Sequence, residues 1–170
     1  MKYLIIVLLL FPFTGIAQTQ NYEADVKSLD NIMTVLYEVI SGDKGVERDW
    51  NRFNNLFTPE AKLIPSSADK DGSIKYNVLS PQDYIDSSGA WLVENGFHEK
   101  EIKREVQHFG SLIHIWSTYA AYRSKTDKDP FIRGINSIQL FFDGSRYWIK
   151  SIYWTPETPL NPIPAKYLPE

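Results

Sequence analysis

From about Phe97 onward, apolar and polar residues alternate, and this period of two most constrains what the chain can fold into. Alternation places successive side chains on opposite faces of a strand, so it predicts β-structure with one buried face. Gly110-Ser111 and Asp143-Gly144 are typical of tight hairpin turns and would join neighbouring strands in antiparallel pairs. Four long strands are predicted, over residues 99–109, 112–123, 135–142 and 146–155.

Before Phe97 the spacing of apolar residues is mostly helical. Apolar residues three and four apart predict a first helix over 24–40 and a shorter one from Asp49 to Thr58-Pro59. A third helix is predicted from Pro81 to about Glu94, with Ser80 as its cap.

Between the second and third helices the pattern predicts only a short strand, over 61–66, and a possible returning strand over 74–79. Because helices and strands are segregated along the chain, the predicted class is α+β. We expect a cone of three N-terminal helices packed on a curved antiparallel sheet of four long strands plus a short strand or hairpin. A Pro-rich irregular tail over 158–170 would follow a domain spanning 22–157.

The first residues have the three parts of a secretory signal. Lys2 precedes an apolar run from Leu4 to Phe13, and Gly15 and Ala17 supply the small-x-small ending. We therefore predict a signal peptide over 1–17 and an exported protein, periplasmic or secreted. A membrane span needs roughly 20 apolar residues, so an uncleaved anchor is the weaker alternative.

Composition limits the chemistry. The chain has no Cys, which excludes disulfides and thiolate metal sites, and its three His are scattered along the sequence. No metal site and no cofactor are expected. The net charge of −3 carries no long run of one sign, so nothing indicates nucleic acid as a partner.

Three stretches resemble the nuclear-transport-factor-2-like superfamily, in particular its SnoaL-like branch, over roughly residues 24–157. They are 49–57 (DWNRFNNLF), 109–119 (FGSLIHIWSTY) and 134–144 (GINSIQLFFDG), the last followed by Trp148-Ile149. The resemblance implies a cone whose open end leads into an apolar pocket, often within a dimer. It does not imply one activity, since the superfamily hosts isomerases, dehydratases, cyclases and binding modules.

Two-residue hairpin turns would fix the register and hence the pocket face of the sheet. Phe142 would then pair with Ser145, Asn136 with Ser151, and Arg104 with Ser117. A one-residue bulge in either hairpin would reverse the strand concerned. The predicted pocket residues are Tyr37, Trp50, Trp91, Arg104, His108, Ser117, Tyr119, Asn136, Ser151 and Tyr153.

The opposite face of the sheet is expected to be strongly aromatic, and such a surface marks an interface. A homodimer would cover it, or the Pro-rich tail would fold over it. The predicted interface residues are Trp116, Phe141, Trp148, Ile152 and Trp154.

The function stays open between classes. The favoured hypothesis is a pocket that binds a small hydrophobic or amphipathic molecule. The alternatives are a small lyase or isomerase using His108, Arg104 or Tyr119, and a dimeric interaction module with a filled cone. His108 is a candidate general base, with Asp49 or Asp83 positioning it. No acidic residue falls on the predicted pocket face of the long strands.

Overall fold

The structure, a computed structural model, describes residues 21–69 and 71–170. The predicted signal peptide therefore lies outside the described residues. The described helices are α1 (Leu29–Ile40), α2 (Trp50–Asn54) and α3 (Pro81–Asn95), with 3₁₀ turns at Ala24–Val26 and Ala165–Tyr167. The strands are β1 (Phe57–Ala68), β2 (Ile74–Tyr76), β3 (His98–Phe109), β4 (Leu112–Tyr122), β5 (Ile132–Phe142) and β6 (Tyr147–Pro156). None of the helices so described has the length and apolar character that crossing a membrane requires.

The helix starts follow from local hydrogen bonding. Ser28 caps α1 by accepting the Asn31 N–H at 3.1 Å, which explains why the predicted first helix begins later than residue 24. Ser80 and Asp83 form the predicted capping box of α3. Asp49 accepts the Arg52 N–H at 2.9 Å and so caps α2.

The sheet has six strands in the order β2-β1-β6-β5-β4-β3 and is mixed. This corrects the predicted antiparallel sheet of four long strands, because β1 spans twelve residues and runs parallel to β6. Phe57 pairs with Ile149 and Leu63 with Ile152, so the strand begins before the proline expected to precede it. Pro59 is tolerated because the ladder is irregular between Phe57 and Lys62.

The hairpin between β3 and β4 has the predicted register near its turn, where Arg104 pairs with Ser117. Further along, Glu101 pairs with Tyr119 and Lys103 with Thr118, which leaves Ile102 as a bulge. A bulge adds one residue to one strand. The side chains of that strand beyond the bulge therefore lie on the opposite face from the one that uninterrupted alternation predicts.

The hairpin between β5 and β6 differs from the prediction twice. Phe142 pairs with Tyr147, so the turn has four residues, and Asp143 accepts the N–H groups of Ser145 and Arg146 within it. A second bulge at Lys150 then exchanges the faces of β6 beyond that point.

The helices cover the concave face of the sheet, and the core lies between them. Ile115, Ile138 and Ile149 on the sheet are fully buried, as are Ile32 and Met33 of α1. Burial of this apolar face stabilises the packing of the strands against the helices. The gain is about 25 cal/mol for each Å² of apolar surface removed from water. A hollow remains beside this core, toward the start of β3 and the end of β4.

Candidate functional site

A cavity of about 260 Å³ lies between the helices and the concave face of the sheet. Its walls are mainly apolar, and its polar groups come from three tyrosines, one acid and one amide. Those polar residues are Tyr37, Tyr84, Tyr119, Glu99 and Asn136. Trp91 and Phe131 also line the cavity while remaining 42% exposed, so they form its mouth. An apolar cavity with a few polar groups is the usual form of a small-molecule site.

Glu99 is the acid in this cavity. The bulge at Ile102 places Glu99 and Glu101 on the concave face, on the same side as Tyr119. Burial raises the pKa of the Glu99 carboxyl to about 8, and the Asn136 side chain offsets only part of this effect. In the part of the chain that the structure describes, no Lys, Arg or His forms an ion pair with Glu99. At neutral pH the carboxyl is therefore mostly protonated, and it can exchange a proton close to that pH.

Tyr84 and Tyr119 face the same space as Glu99. Burial, and the nearby charge of Glu99, raise the pKa of both phenols well above the usual range. Both therefore stay protonated and can donate a hydrogen bond. Neither hydroxyl bonds to another residue within 21–69 or 71–170, so both donors remain available to a ligand oxygen.

The position of Tyr119 depends on a glycine in the next strand. Tyr119 pairs with Gly134, and a Cβ built on Gly134 would lie 2.5 Å from the Tyr119 hydroxyl oxygen. The same Cβ would lie 2.5 Å from the backbone oxygen of Thr155. Any side chain at this position would displace the phenol from the cavity wall.

Behind the cavity, a chain of hydrogen bonds crosses the core. The Asn136 amide donates to the Tyr37 hydroxyl at 3.0 Å, and the Tyr37 and Ser117 oxygens lie 2.7 Å apart. Ser117 donates to a carboxylate oxygen of Glu101. Arg104 completes the chain by donating its Nε–H to Glu101 at 2.8 Å.

The two ends of this chain determine its direction. The Asn136 amide nitrogen can only donate, and the Glu101 carboxylate, which is ion-paired with Arg104, accepts the Ser117 hydroxyl. The Tyr37 hydroxyl therefore donates to Ser117, and its proton points away from the cavity. Tyr37 thus orients Asn136, whereas Tyr84 and Tyr119 are the phenols that can donate to a ligand.

Four of the predicted pocket residues line the cavity, namely Tyr37, Trp91, Tyr119 and Asn136. Ser117 is fully buried behind Tyr37 and does not reach the cavity. Trp50 packs its ring edge-on against Phe53, 5.8 Å between centroids, outside the cavity.

The candidate bases from the sequence lie elsewhere. His108 is exposed at the hairpin end, where its Nε2 lies 2.6 Å from the Gly110 carbonyl oxygen. Asp49 and Asp83 cap helices and do not bond to His108. Arg104 is held by Glu101 and by Asp30, the latter at 2.8 Å.

The bulge at Lys150 moves the predicted β6 residues to opposite faces. Ser151 lies on the outer face, where it donates to Gln139 at 3.3 Å, and Tyr153 is 47% exposed there. Ile152 and Trp154, which were predicted to form an interface, line the cavity instead. The reason is that a single unpaired residue reverses the alternation beyond it.

The alternation of the sequence did not indicate Glu99 or Tyr84 as cavity residues. The stretch from His98 to Glu105 carries charges at positions of both faces, so alternation gives no register there. Its one central apolar residue, Ile102, indicates the wrong face because it forms the bulge. The one sequence signal is the spacing of Glu99 and Glu101, because two residues at positions i and i+2 of a strand lie on the same face.

The outer face is partly covered by the C-terminal tail. Tyr167 packs its ring 5.7 Å from that of Trp116, and its carbonyl oxygen accepts the Thr118 hydroxyl at 2.7 Å. A hollow of about 410 Å³ remains under the tail, but its acid, Glu157, is neutralised by Arg133 at 2.8 Å. This hollow therefore lacks the uncompensated acid of the inner cavity.

Within the described ranges, no three His, Cys, Asp or Glu side chains come together in an arrangement that would hold a metal ion. Besides the indoles of Trp91 and Trp154, the side chains with polar groups that line the inner cavity bear one carboxyl, one amide and three phenols. This donor set suits hydrogen bonding and proton transfer to an organic ligand.

No protein-family model matches the sequence, and no curated protein matches it either. Solved structures match the fold. A candidate dehydratase of the NTF2-like family from Streptomyces avermitilis is 12% identical, with a TM-score of 0.53 over 81% of this chain and 99% of its own. A Nostoc punctiforme protein of unknown function with a cystatin-like fold is 11% identical, with a TM-score of 0.54 over 76% and 92%.

A third structure is the β subunit of a candidate aromatic-ring-hydroxylating dioxygenase from Novosphingobium aromaticivorans. It is 12% identical, with a TM-score of 0.50 over 64% of this chain and 76% of its own. At these identities the matches establish a shared fold and leave the chemistry to the site itself.

Proposed function

We propose that this chain, which has the nuclear-transport-factor-2-like fold, binds an apolar carbonyl compound in its cavity. In this proposal Glu99 moves a proton between carbon atoms of the bound compound or exchanges it at one carbon. The observation that carries the proposal is a carboxyl with a pKa of about 8 facing an apolar cavity. A base whose pKa lies near the working pH gives efficient proton transfer.

The proposed step is an enolisation. The ionised Glu99 takes a proton from the carbon next to the ligand carbonyl, and the C–H electron pair moves to form the enolate. Negative charge develops on the carbonyl oxygen, where the Tyr84 and Tyr119 hydroxyls donate hydrogen bonds. Glu99 then returns the proton to the same carbon or to a conjugated one, which completes an exchange or an isomerisation.

The competing function is binding without chemistry, the hypothesis favoured by the sequence. A pocket used only for binding an apolar molecule has no need of an uncompensated acid, since burying a carboxyl without a cationic partner costs stability. Here the acid faces the same cavity as two phenols that have no hydrogen-bond partner among the described residues, and this combination favours the enzyme.

The experiment is hydrogen–deuterium exchange at C1 of 2-tetralone in D₂O, followed by proton NMR. This cyclic ketone has acidic α-protons and an apolar body of the size that the cavity admits. Wild-type protein is expected to accelerate exchange, and Glu99→Gln is expected to abolish the acceleration while still binding the ketone. Binding by the wild type without faster exchange would reject the catalytic proposal and leave the binding hypothesis.

Export belongs to the same proposal and rests on the sequence pattern of residues 1–17. The mature chain is expected to begin near Gln18. Intact-mass measurement of protein recovered from the periplasmic and medium fractions tests this. A recovered chain that retains Met1 would contradict it.

We also propose that the outer face joins two copies of the chain, through a row of side chains that spans four strands. Phe109, Leu112, Phe141 and Trp148 pair in register across β3 to β6. Phe109 is 86% exposed and Leu112 57% exposed, which favours an apolar contact. Light scattering after size exclusion should give the mass of a dimer for the wild type and of a monomer for Phe109→Glu.

A further inference from the structure

At the mouth of the cavity, an arginine lies between two aromatic rings. The Arg123 guanidinium carbon is 4.6 Å from the centroid of Trp91 and 4.0 Å from that of Phe131. Both rings also line the cavity. Arg123 is itself exposed and does not line the cavity, so its cation lies beside the mouth, against two rings that do line it.

The hydrogen-bonding state of Arg123 distinguishes it from the other five arginines of the chain. Arg52, Arg104 and Arg133 bond to carboxylates, and Arg48 and Arg146 bond to carbonyl oxygens. The guanidinium of Arg123 has no ion pair and no hydrogen bond within residues 21–69 and 71–170. Its N–H donors are therefore free, while stacking holds the plane in place.

The backbone around Arg123 is fixed as well. The Asp127 carboxylate accepts the backbone N–H groups of Arg123 and Ser124, both at 3.0 Å. This nearby acid therefore bonds to the backbone of its own loop and not to the Arg123 guanidinium. Phe131 donates its N–H to the Ala121 carbonyl at 2.9 Å, so the ring that stacks on Arg123 is anchored to β4. A guanidinium that is held in place before binding loses little entropy when it binds an anion.

The backbone spacing between Arg123 and the acid suits a ligand with two functional ends. Ala121 pairs with Glu99 across the β3–β4 ladder, and Arg123 follows two residues later. Arg123 directly follows the last residue of β4, so two residues of extended chain separate its backbone from that of Ala121 by about 7 Å, roughly the length of one or two fused rings. Phe97 and Phe131, with centroids 6.1 Å apart, provide apolar surface beside this path.

We infer that Arg123 binds a carboxylate on the ligand, so that the substrate class is an apolar ring compound with an acid at one end and a carbonyl at the other. The inference rests on the proposed function, because it places the carbonyl end at Glu99. The planar fork of a guanidinium matches the two oxygens of a carboxylate, and both charges favour the contact.

The test is isothermal titration calorimetry at pH 7 with three probes that share one naphthalene body. They are 1-naphthylacetate, the neutral 2-(1-naphthyl)ethanol, and 1-naphthyl phosphate. The proteins are the wild type, Arg123→Gln, and Lys128→Gln as a matched control that removes one positive charge from the same exposed loop. Circular dichroism verifies that each variant is folded.

The wild type and Lys128→Gln should bind the carboxylate about fivefold more tightly than the alcohol, the size expected for a contact open to solvent. Arg123→Gln should bring that ratio to about one, while the affinity for the alcohol changes less than twofold. An unchanged ratio in Arg123→Gln would overturn the inference and leave the proposed pocket intact. Preference for the phosphate over the carboxylate would overturn the assignment of the acid, and failure of all three probes to bind would reject the pocket itself.

Discussion

Tyr37 of α1 and Ser117 of β4 lie 80 positions apart in the chain, and their hydroxyl oxygens are 2.7 Å apart in the core. This bond ties the helix layer to the sheet directly beneath the cavity. Because Asn136 donates to the same Tyr37 oxygen at 3.0 Å, one phenol orients the only amide that faces Glu99 among the described cavity residues.

The first prediction concerns this phenol. Tyr37→Phe leaves the Asn136 amide without its acceptor and Ser117 without its donor, in a region that excludes water. Stability should fall by about 1–3 kcal/mol, the cost of unsatisfied buried polar groups. Urea denaturation measures the change. Tyr76→Phe, at a 67% exposed position, is the control and should shift stability by less than about 0.5 kcal/mol. Equal effects of the two changes would contradict the network.

The second prediction concerns the dependence of stability on pH. Burial raises the pKa of Glu99 to about 8, above the value of about 4.3 expected in the unfolded chain. Between these two values the native state holds a proton that the unfolded state has released. The contribution of Glu99 to stability is therefore lost progressively as pH rises from about 5 to 8.

The free energies of unfolding of the wild type and Glu99→Gln, measured by urea denaturation from pH 5 to 9, test this. Glutamine mimics the protonated acid, so the variant should lack this part of the decline and exceed the wild type by a few kcal/mol at about pH 8. Parallel curves would show that Glu99 ionises as freely in the folded protein as in the unfolded chain.

The third prediction is a pH–rate profile for the exchange of 2-tetralone protons. Because the ionised form of Glu99 is the base, the rate should rise with pH and level off above about 8. Glu99→Gln should lower the rate by about 10²–10⁴, and Tyr119→Phe by about 10². His108→Gln is the control and should match the wild type, since that imidazole is exposed and far along the strand. A rate that follows His108 instead would overturn the assignment.

The fourth prediction concerns Gly134. In Gly134→Ala the new methyl would meet the Tyr119 hydroxyl and the Thr155 carbonyl, each at 2.5 Å. Overpacking of this kind costs about 1–3 kcal/mol and should displace the phenol. The double variant with Tyr119→Phe should recover part of this loss, because the phenol oxygen is then absent. Thermal unfolding measures the changes, with Gln139→Ala, exposed on the same strand, as control. Additive effects of Gly134→Ala and Tyr119→Phe would exclude the contact.

Local patterns of the sequence determined the elements that carry them. The capping box at Ser80 and Asp83, and the two-residue turn at Gly110-Ser111, depend on residues within a few positions of each other. The long strands β3 to β6 likewise follow from alternation, which depends only on neighbouring residues. The parallel pairing of β1 with β6 was missed because it joins residues about 90 positions apart.

Which residues face the cavity was decided by the tertiary structure. The sequence alone identified an α+β cone with an aromatic interior and brought Tyr37, Trp91, Tyr119 and Asn136 to its pocket. Single unpaired residues at Ile102 and Lys150 then exchanged the faces of two strands. They placed Glu99 inside and moved Ser151 and Tyr153 outside. A bulge depends on how a strand pairs with its neighbours and packs against the helices, and the alternation of adjacent residues does not encode this.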